Sequence, residues 1–177
     1  MLYERNIRNK KMKVIFLDCD GVLNVYTTKE MFQGYIGLDD KRLDYLKEIV
    51  DATDAKLILS STWRLGYNKD GHPLKDHGEY VKKKFAEHGM EIYDVTPDLG
   101  HNGIYRGQEI KQWLSEHEDI ESFIIIDDEN FDFSYEKLGS HWIQTQYFKG
   151  DGGIQPKHVK RAIKMLNGNK KEIMLSN

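Results

Sequence analysis

The amino-acid sequence predicts an α/β fold, a Rossmann-like three-layer sandwich with a mainly parallel sheet between two layers of helices. Short apolar runs alternate with segments of helical period along most of the chain. Three of the runs end abruptly in polar residues: VIFL before Asp18, LIL before Ser60 and FIII before Asp127. In a parallel sheet with right-handed connections, such ends collect along one carboxyl edge.

Each element has its own signal. Residues 1–12 are polar and basic and read as a loose leader, since the apolar run behind them breaks at Asp18, too soon for a signal peptide. Residues 14–17 form a buried strand. Asp39 or Asp40 caps a helix with Leu43, Leu46, Ile49 and Val50 on one face. Residues 56–59 are the next strand, ending at Ser60, Ser61 and Thr62. A helix over 76–88 carries Tyr80, Val81 and Phe85, with Gly89 as its C-cap. Residues 90–95 alternate like a strand closed by Pro97, and a helix over 106–117 turns Ile110, Trp113 and Leu114 inward. Residues 123–126 form a strand that ends in Asp127 and Asp128. A short helix over 133–138 stops at Gly139, and 142–148 is strand-like. Pro156 opens a last helix with Val159, Ala162, Ile163 and Leu166 on its buried stripe. This gives one domain over 13–168 and a tail at 169–177.

Composition narrows the setting. A chain of 177 residues, 39% hydrophobic and 31% charged, suits a single folded domain. A net charge of -3 argues against wholesale capture by nucleic acid or anionic membrane, though it leaves room for a local basic patch. One cysteine permits no intrachain disulfide, and no apolar run nears the ~20 residues that span a bilayer. The expectation is a cytoplasmic protein with no membrane partner.

The acids at the strand ends carry the chemistry. Asp18, Asp20, Asp127 and Asp128 converge on one crevice and cannot all stay ionised without a cation. An all-oxygen donor set suits a hard ion, Mg²⁺ first, and Mg²⁺ commonly shares its shell with phosphate. Asp18 and Asp20, two apart, can flank one phosphorus, the first as nucleophile and the second as acid and base. Gly21 lets the backbone turn and approach a ligand. Ser60 and Ser61 can bind phosphoryl oxygens, as can the basic Arg106, with Arg64 a second candidate.

These residues resemble a family. DCDGVLN matches the first motif of the haloacid dehalogenase (HAD) superfamily of phosphohydrolases, and LILSS, RGQEIKQWL and IIIDD match the other three in order. The four cover about residues 13–150. The combination is similar to a capless subgroup linked to RNA-repair proteins and to the 3′-phosphatase domain of phage polynucleotide kinases. The resemblance implies that Asp18 attacks phosphorus, while Asp20 protonates the leaving group and then activates water. It also implies that Mg²⁺ is held by the Asp18 carboxylate, the Asp20 carbonyl, Asp127 and Asp128. Ser60 is the first choice for the motif serine, with Ser61 its one-residue alternative. Arg106 stands where the family often has Lys. Residues 25–38 and 65–105 leave no room for a sizeable cap. An open site suits a large phosphorylated substrate such as a nucleic-acid end or a phosphoprotein, unless a loop or a partner subunit closes it.

Other readings stay beside this one. The same superfamily includes small-molecule (nucleotide or sugar) phosphatases and protein phosphatases. A receiver domain has its acids in a different order, and a non-catalytic module usually lacks one of the four. Ser60 and Ser61 can be turn residues, Arg106 a surface helix residue and Arg64 part of a surface salt bridge. Trp63 can belong to the core, and Tyr26 either stacks on a substrate base or packs. Cys19 points away from the acids, into the core, and His72, His77 and His101 have no ligand spacing.

Overall fold

The computed structural model describes residues 11–68, 71–100 and 104–168. Its centre is a five-stranded sheet in the order β5-β4-β1-β6-β7, in which every pairing is parallel. The strands are β1 (Met12–Leu17), β4 (Lys56–Leu59), β5 (Ile92–Val95), β6 (Ile120–Asp127) and β7 (Trp142–Gln144). A separate hairpin, β2 (Met31–Phe32) and β3 (Tyr35–Ile36), follows the first acids. The helices are α1 (Asp40–Thr53), α2 (Asp76–Glu87), α3 (Arg106–Ser115) and α4 (Pro156–Asn167).

Strand alternation sorts the core into two layers. Ile15, Leu17, Leu57, Leu59, Ile124 and Ile126 face α1, α2 and α4, while Val14, Phe16, Ile58 and Ile125 face Ile110 and Trp113 of α3. This is the expected three-layer sandwich. Residues 25–38 hold only the small hairpin, and 65–105 supply α2 and β5 to the main layers, so no cap domain is present among the described residues. Asp39 caps α1, its side chain accepting from the Arg42 N–H, and Gln155 and His158 form a capping box on α4. No helix among the described residues is long and apolar enough to cross a membrane.

Several expectations need correction. Met12, expected at the end of the leader, belongs to β1, its N–H bonded to the Asp119 carbonyl. Residues 1–10 and the tail 169–177 lie outside the described residues, as does His101. No helix forms over 133–138. Phe131 and Lys137 have φ of 43° and 61°, so the chain runs as linked turns that still bury Phe133 and Leu138. The last strand stops at Gln144, which pairs with Asp127, the final residue of its one neighbour β6. The strand expected from residue 90 begins at Ile92, and α3 ends at Ser115. The β2–β3 hairpin was not foreseen. Its two-residue turn places Gln33 and Gly34 at φ 50° and 86°, the conformation favoured between tightly paired strands.

Candidate active site

Parallel register assembles the site. Past the strand ends, the Asp18 N–H bonds to the Ile126 carbonyl at 3.0 Å, Ser60 N–H to Leu17 at 2.9 Å and Thr145 N–H to Asp127 at 3.1 Å. Asp18, Ser60 and Asp127 therefore meet on one carboxyl edge. The strand order also reverses between β1 and β6, which is where open α/β sheets bind ligands.

Asp18, only 5% exposed, lies in a knot of charge. Arg106 Nη1 is 3.2 Å from its Oδ1 and 2.6 Å from Oδ2 of the buried Asp127. Asp18, Asp127 and Asp128 each offer a carboxylate oxygen within 4.8 Å of the others. Burial raises the Asp18 pKa, opposed by Arg106 and by a hydrogen bond from Ser61. Burial and then the Asp18 charge push Asp127 well up and bring Asp128 to about 6. Burial also works against charge on Arg106, but Asp18 and Asp127 outweigh it and raise its pKa. One guanidinium does not offset three crowded carboxylates. Their oxygens fit a hard divalent cation, which would relieve the repulsion that raises these pKa values.

Asp20 stands apart from that cluster. Its Oδ2 accepts from Trp63 Nε1 at 3.0 Å and its Oδ1 from Asn24 Nδ2 at 2.8 Å. Asn24, fully buried, also accepts from the Gly21 N–H at 3.2 Å. Trp63 and Asn24 thus aim a partly buried carboxylate into the same crevice that Asp18 lines, a space of about 920 Å³. Gly21 makes room for Asp128. Its φ is +75°, and a Cβ there would lie 2.3 Å from Asp128 Cγ.

The structure distributes the other candidates unevenly. The Ser61 hydroxyl reaches Asp18 and accepts from the Trp63 N–H at 3.3 Å, opening a 3₁₀ turn over Thr62–Gly66. The Ser60 hydroxyl is buried without a partner among the described residues, and Thr62 lines the crevice. Arg64 lies outside the crevice lining. Buried, it pairs with Glu109 at 2.6 Å and donates to the Ser60 and Ser61 carbonyls at 3.3 and 3.0 Å, tying the loop after β4 to α3. Tyr26 is half exposed and packs near Phe148, 6.4 Å between ring centres, rather than lining the crevice itself. Cys19 is buried in the core, as expected, while His77 borders the crevice.

Sequence reading missed Trp63 and Asn24 as partners of Asp20. It also missed Asp132, which accepts from the Gly107 and Gln108 N–H groups at 2.5 and 3.2 Å and so caps α3 behind Arg106. Asn24 stands inside the quoted DCDGVLN motif, four residues from Asp20, so a signal for it was present. Asp132 lies 25 residues from the helix it caps and offers no local signal.

The family model for the HAD domain in Swiss Army Knife RNA repair proteins matches residues 14–159. No curated protein and no solved structure gives a significant match to the chain.

Two glycine substitutions test the close approach at the site. Gly34→Ala meets open space at φ +86° and should cost only the backbone strain, about 1–2 kcal/mol. Gly21→Ala adds the collision with Asp128 and should cost more. Urea titration of both variants measures the difference, and equal losses would contradict the contact.

Proposed function

The chain belongs to the family of HAD domains in Swiss Army Knife RNA repair proteins, and we propose that it is a Mg²⁺-dependent phosphomonoester hydrolase acting on nucleic-acid 3′-phosphate ends through an aspartyl-phosphate on Asp18. The family supports HAD-type phosphohydrolase activity and a phosphorylated substrate in general. The observation that carries the finer reading is the division of the four acids. Three share one small volume suited to a cation, and the fourth is held separately by two neutral donors.

In this reading Asp18 attacks phosphorus as the ester P–O bond breaks, and Asp20 gives its proton to the departing oxygen. Asp20 then takes a proton from water, which attacks the same phosphorus, freeing inorganic phosphate and restoring Asp18. Arg106 and the Ser61 hydroxyl fix the orientation of Asp18 and lie beside the phosphoryl oxygens. Asp18, Asp127, Asp128 and the Asp20 carbonyl would hold Mg²⁺, which supplies Lewis-acid charge compensation to the phosphoryl group when bound. In this reading the reaction takes place in the cytoplasm, a setting in which the lone free thiol of Cys19 needs no disulfide partner.

One observation favours a second reading, a small-nucleotide phosphatase. Among the described residues, Arg106 and His77 are the basic side chains in the crevice lining, and they do not form a basic track for a long phosphate backbone.

Phosphate release from a 3′-phosphorylated oligonucleotide and from an aryl phosphate, with Mg²⁺ or chelator, tests the proposal. Release from the oligonucleotide should need Mg²⁺ and vanish in Asp18→Asn, with the fold retained. Trp63→Phe keeps a ring but removes the donor to Asp20, and should lower kcat by about tenfold or more, the rate equivalent of ~1.5 kcal/mol. Full activity in Asp18→Asn would refute the assignment of the nucleophile.

A further inference from the structure

Six aromatic residues line the crevice beside the acids: Phe32, Tyr35, Trp63, Phe131, Tyr147 and Phe148. Four of them have ring or hydrogen-bond partners that account for their positions. Phe32 stacks on Tyr80 at 4.3 Å, Trp63 holds Asp20, Phe131 lies 4.3 Å from the Arg106 guanidinium and Tyr147 packs edge-on to Phe148 at 5.0 Å. Tyr35 and Phe148 differ from these in exposure, although Phe148 itself meets Tyr147 edge-on and Tyr26 at 6.4 Å. They are 73% and 84% exposed, so core packing does not explain them.

Both rings sit on pinned backbone. Tyr35 is in a hairpin closed by its two-residue turn and fastened to α2 by the Phe32–Tyr80 stack and a 3.0 Å bond from Gln33 to Asp76. Phe148 is in the loop after β7. There the Gly153 N–H bonds to the Gln146 carbonyl at 3.0 Å, and Arg42 Nε and Nη2 donate to the Gly152 carbonyl at 3.0 and 2.8 Å. Rings held in place before binding lose little freedom when a flat ligand stacks on them.

We propose that Tyr35 and Phe148 form a stacking platform for the base of the nucleotide whose phosphate meets Asp18, so that the site reads one nucleoside phosphate unit rather than a stretch of backbone. This rests on the phosphohydrolase reading above and names what it recognises. Four carboxylates and a single guanidinium in the lining leave a phosphate chain little to bind, whereas base stacking needs no charge and tolerates any base. A volume of about 920 Å³ exceeds what a lone phosphate ester needs.

Binding separates the platform from turnover. The probes are a 3′-phosphorylated oligonucleotide, the same oligonucleotide with an abasic terminal sugar, and a mononucleoside 3′-phosphate as competitor. Fluorescence anisotropy with Asp18→Asn in Mg²⁺, and with the wild-type protein in chelator, gives the Kd in two independent backgrounds. The abasic end should bind about 5- to 100-fold more weakly, on the scale of one base–aromatic stack. Tyr35→Ala and Phe148→Ala should weaken the base-bearing end and leave the abasic end unchanged, with melting temperatures held. The salt slope of log K should be near −0.7, about one phosphate for a single strand. A mononucleoside phosphate competing as well as the oligonucleotide supports a site that reads one nucleoside phosphate unit; a much weaker one overturns that, because the rest of the strand would then contribute to binding. Equal binding of abasic and base-bearing ends, or no binding of the base-bearing end in either background, overturns the platform. The phosphohydrolase reading falls on a different result, the absence of Mg²⁺-dependent release by the wild-type protein.

Discussion

The Arg106 guanidinium, set between Asp18 and Asp127, is the contact on which the rest of the site depends. Burying two carboxylates at the ends of adjacent strands is unfavourable unless positive charge is placed with them, and removing one partner from such a cluster typically costs ~3–5 kcal/mol. The position is awkward for a cation, because Arg106 is the first residue of α3 and the positive end of the helix dipole lies there. Asp132 answers that problem by placing its carboxylate on the next two N–H groups. The buried Arg64–Glu109 pair joins the same helix to the loop that carries Ser61. A chain of charges therefore runs through the α3 side of the molecule to hold a single side chain.

This frame has a consequence for chemistry. Arg106 balances part of the negative charge, and the raised pKa values of Asp18, Asp127 and Asp128 register what it leaves over. A divalent cation held by these oxygens would complete the balance, and a phosphoryl group would be its natural companion. Asp20 is held apart from these three by Trp63 and Asn24, two neutral donors, and in the proposed reaction it is the group that exchanges the proton. The proposed aromatic platform would meet the remaining need, which is to recognise the part of the substrate that carries no phosphate.

Much of this was legible in the sequence because it is local. An apolar run followed at once by acids marks a strand end, and FLDCDG and IIIDD say so within a few residues; the parallel sheet then brings them together. What could not be read depends on distance along the chain. Trp63 meets Asp20 across 43 residues, Arg64 meets Glu109 across 45 and Asp132 caps α3 across 25. The helix expected over 133–138 followed from the spacing of Phe133 and Leu138, which are indeed buried, but a buried pair does not exclude the left-handed turns at Phe131 and Lys137. The hairpin gave no signal because two-residue strands are too short to show alternation, although Tyr35 on it lines the crevice. Arg64, a second candidate for the phosphate beside a surface salt bridge, carries no local signal that decides between the two. Folding turns it inward to Glu109, away from the crevice lining.

The central claim is that Asp18 becomes covalently phosphorylated, and rapid acid quench tests it most directly. Wild-type protein would be mixed with a 3′-phosphate substrate carrying radiolabelled phosphate in Mg²⁺, stopped within one turnover and digested for peptide mapping. The account predicts acid-stable, base-labile label on the peptide containing Asp18, absent from Asp18→Asn. Turnover that leaves label only in free phosphate at every time point, or on a peptide without Asp18, would contradict it.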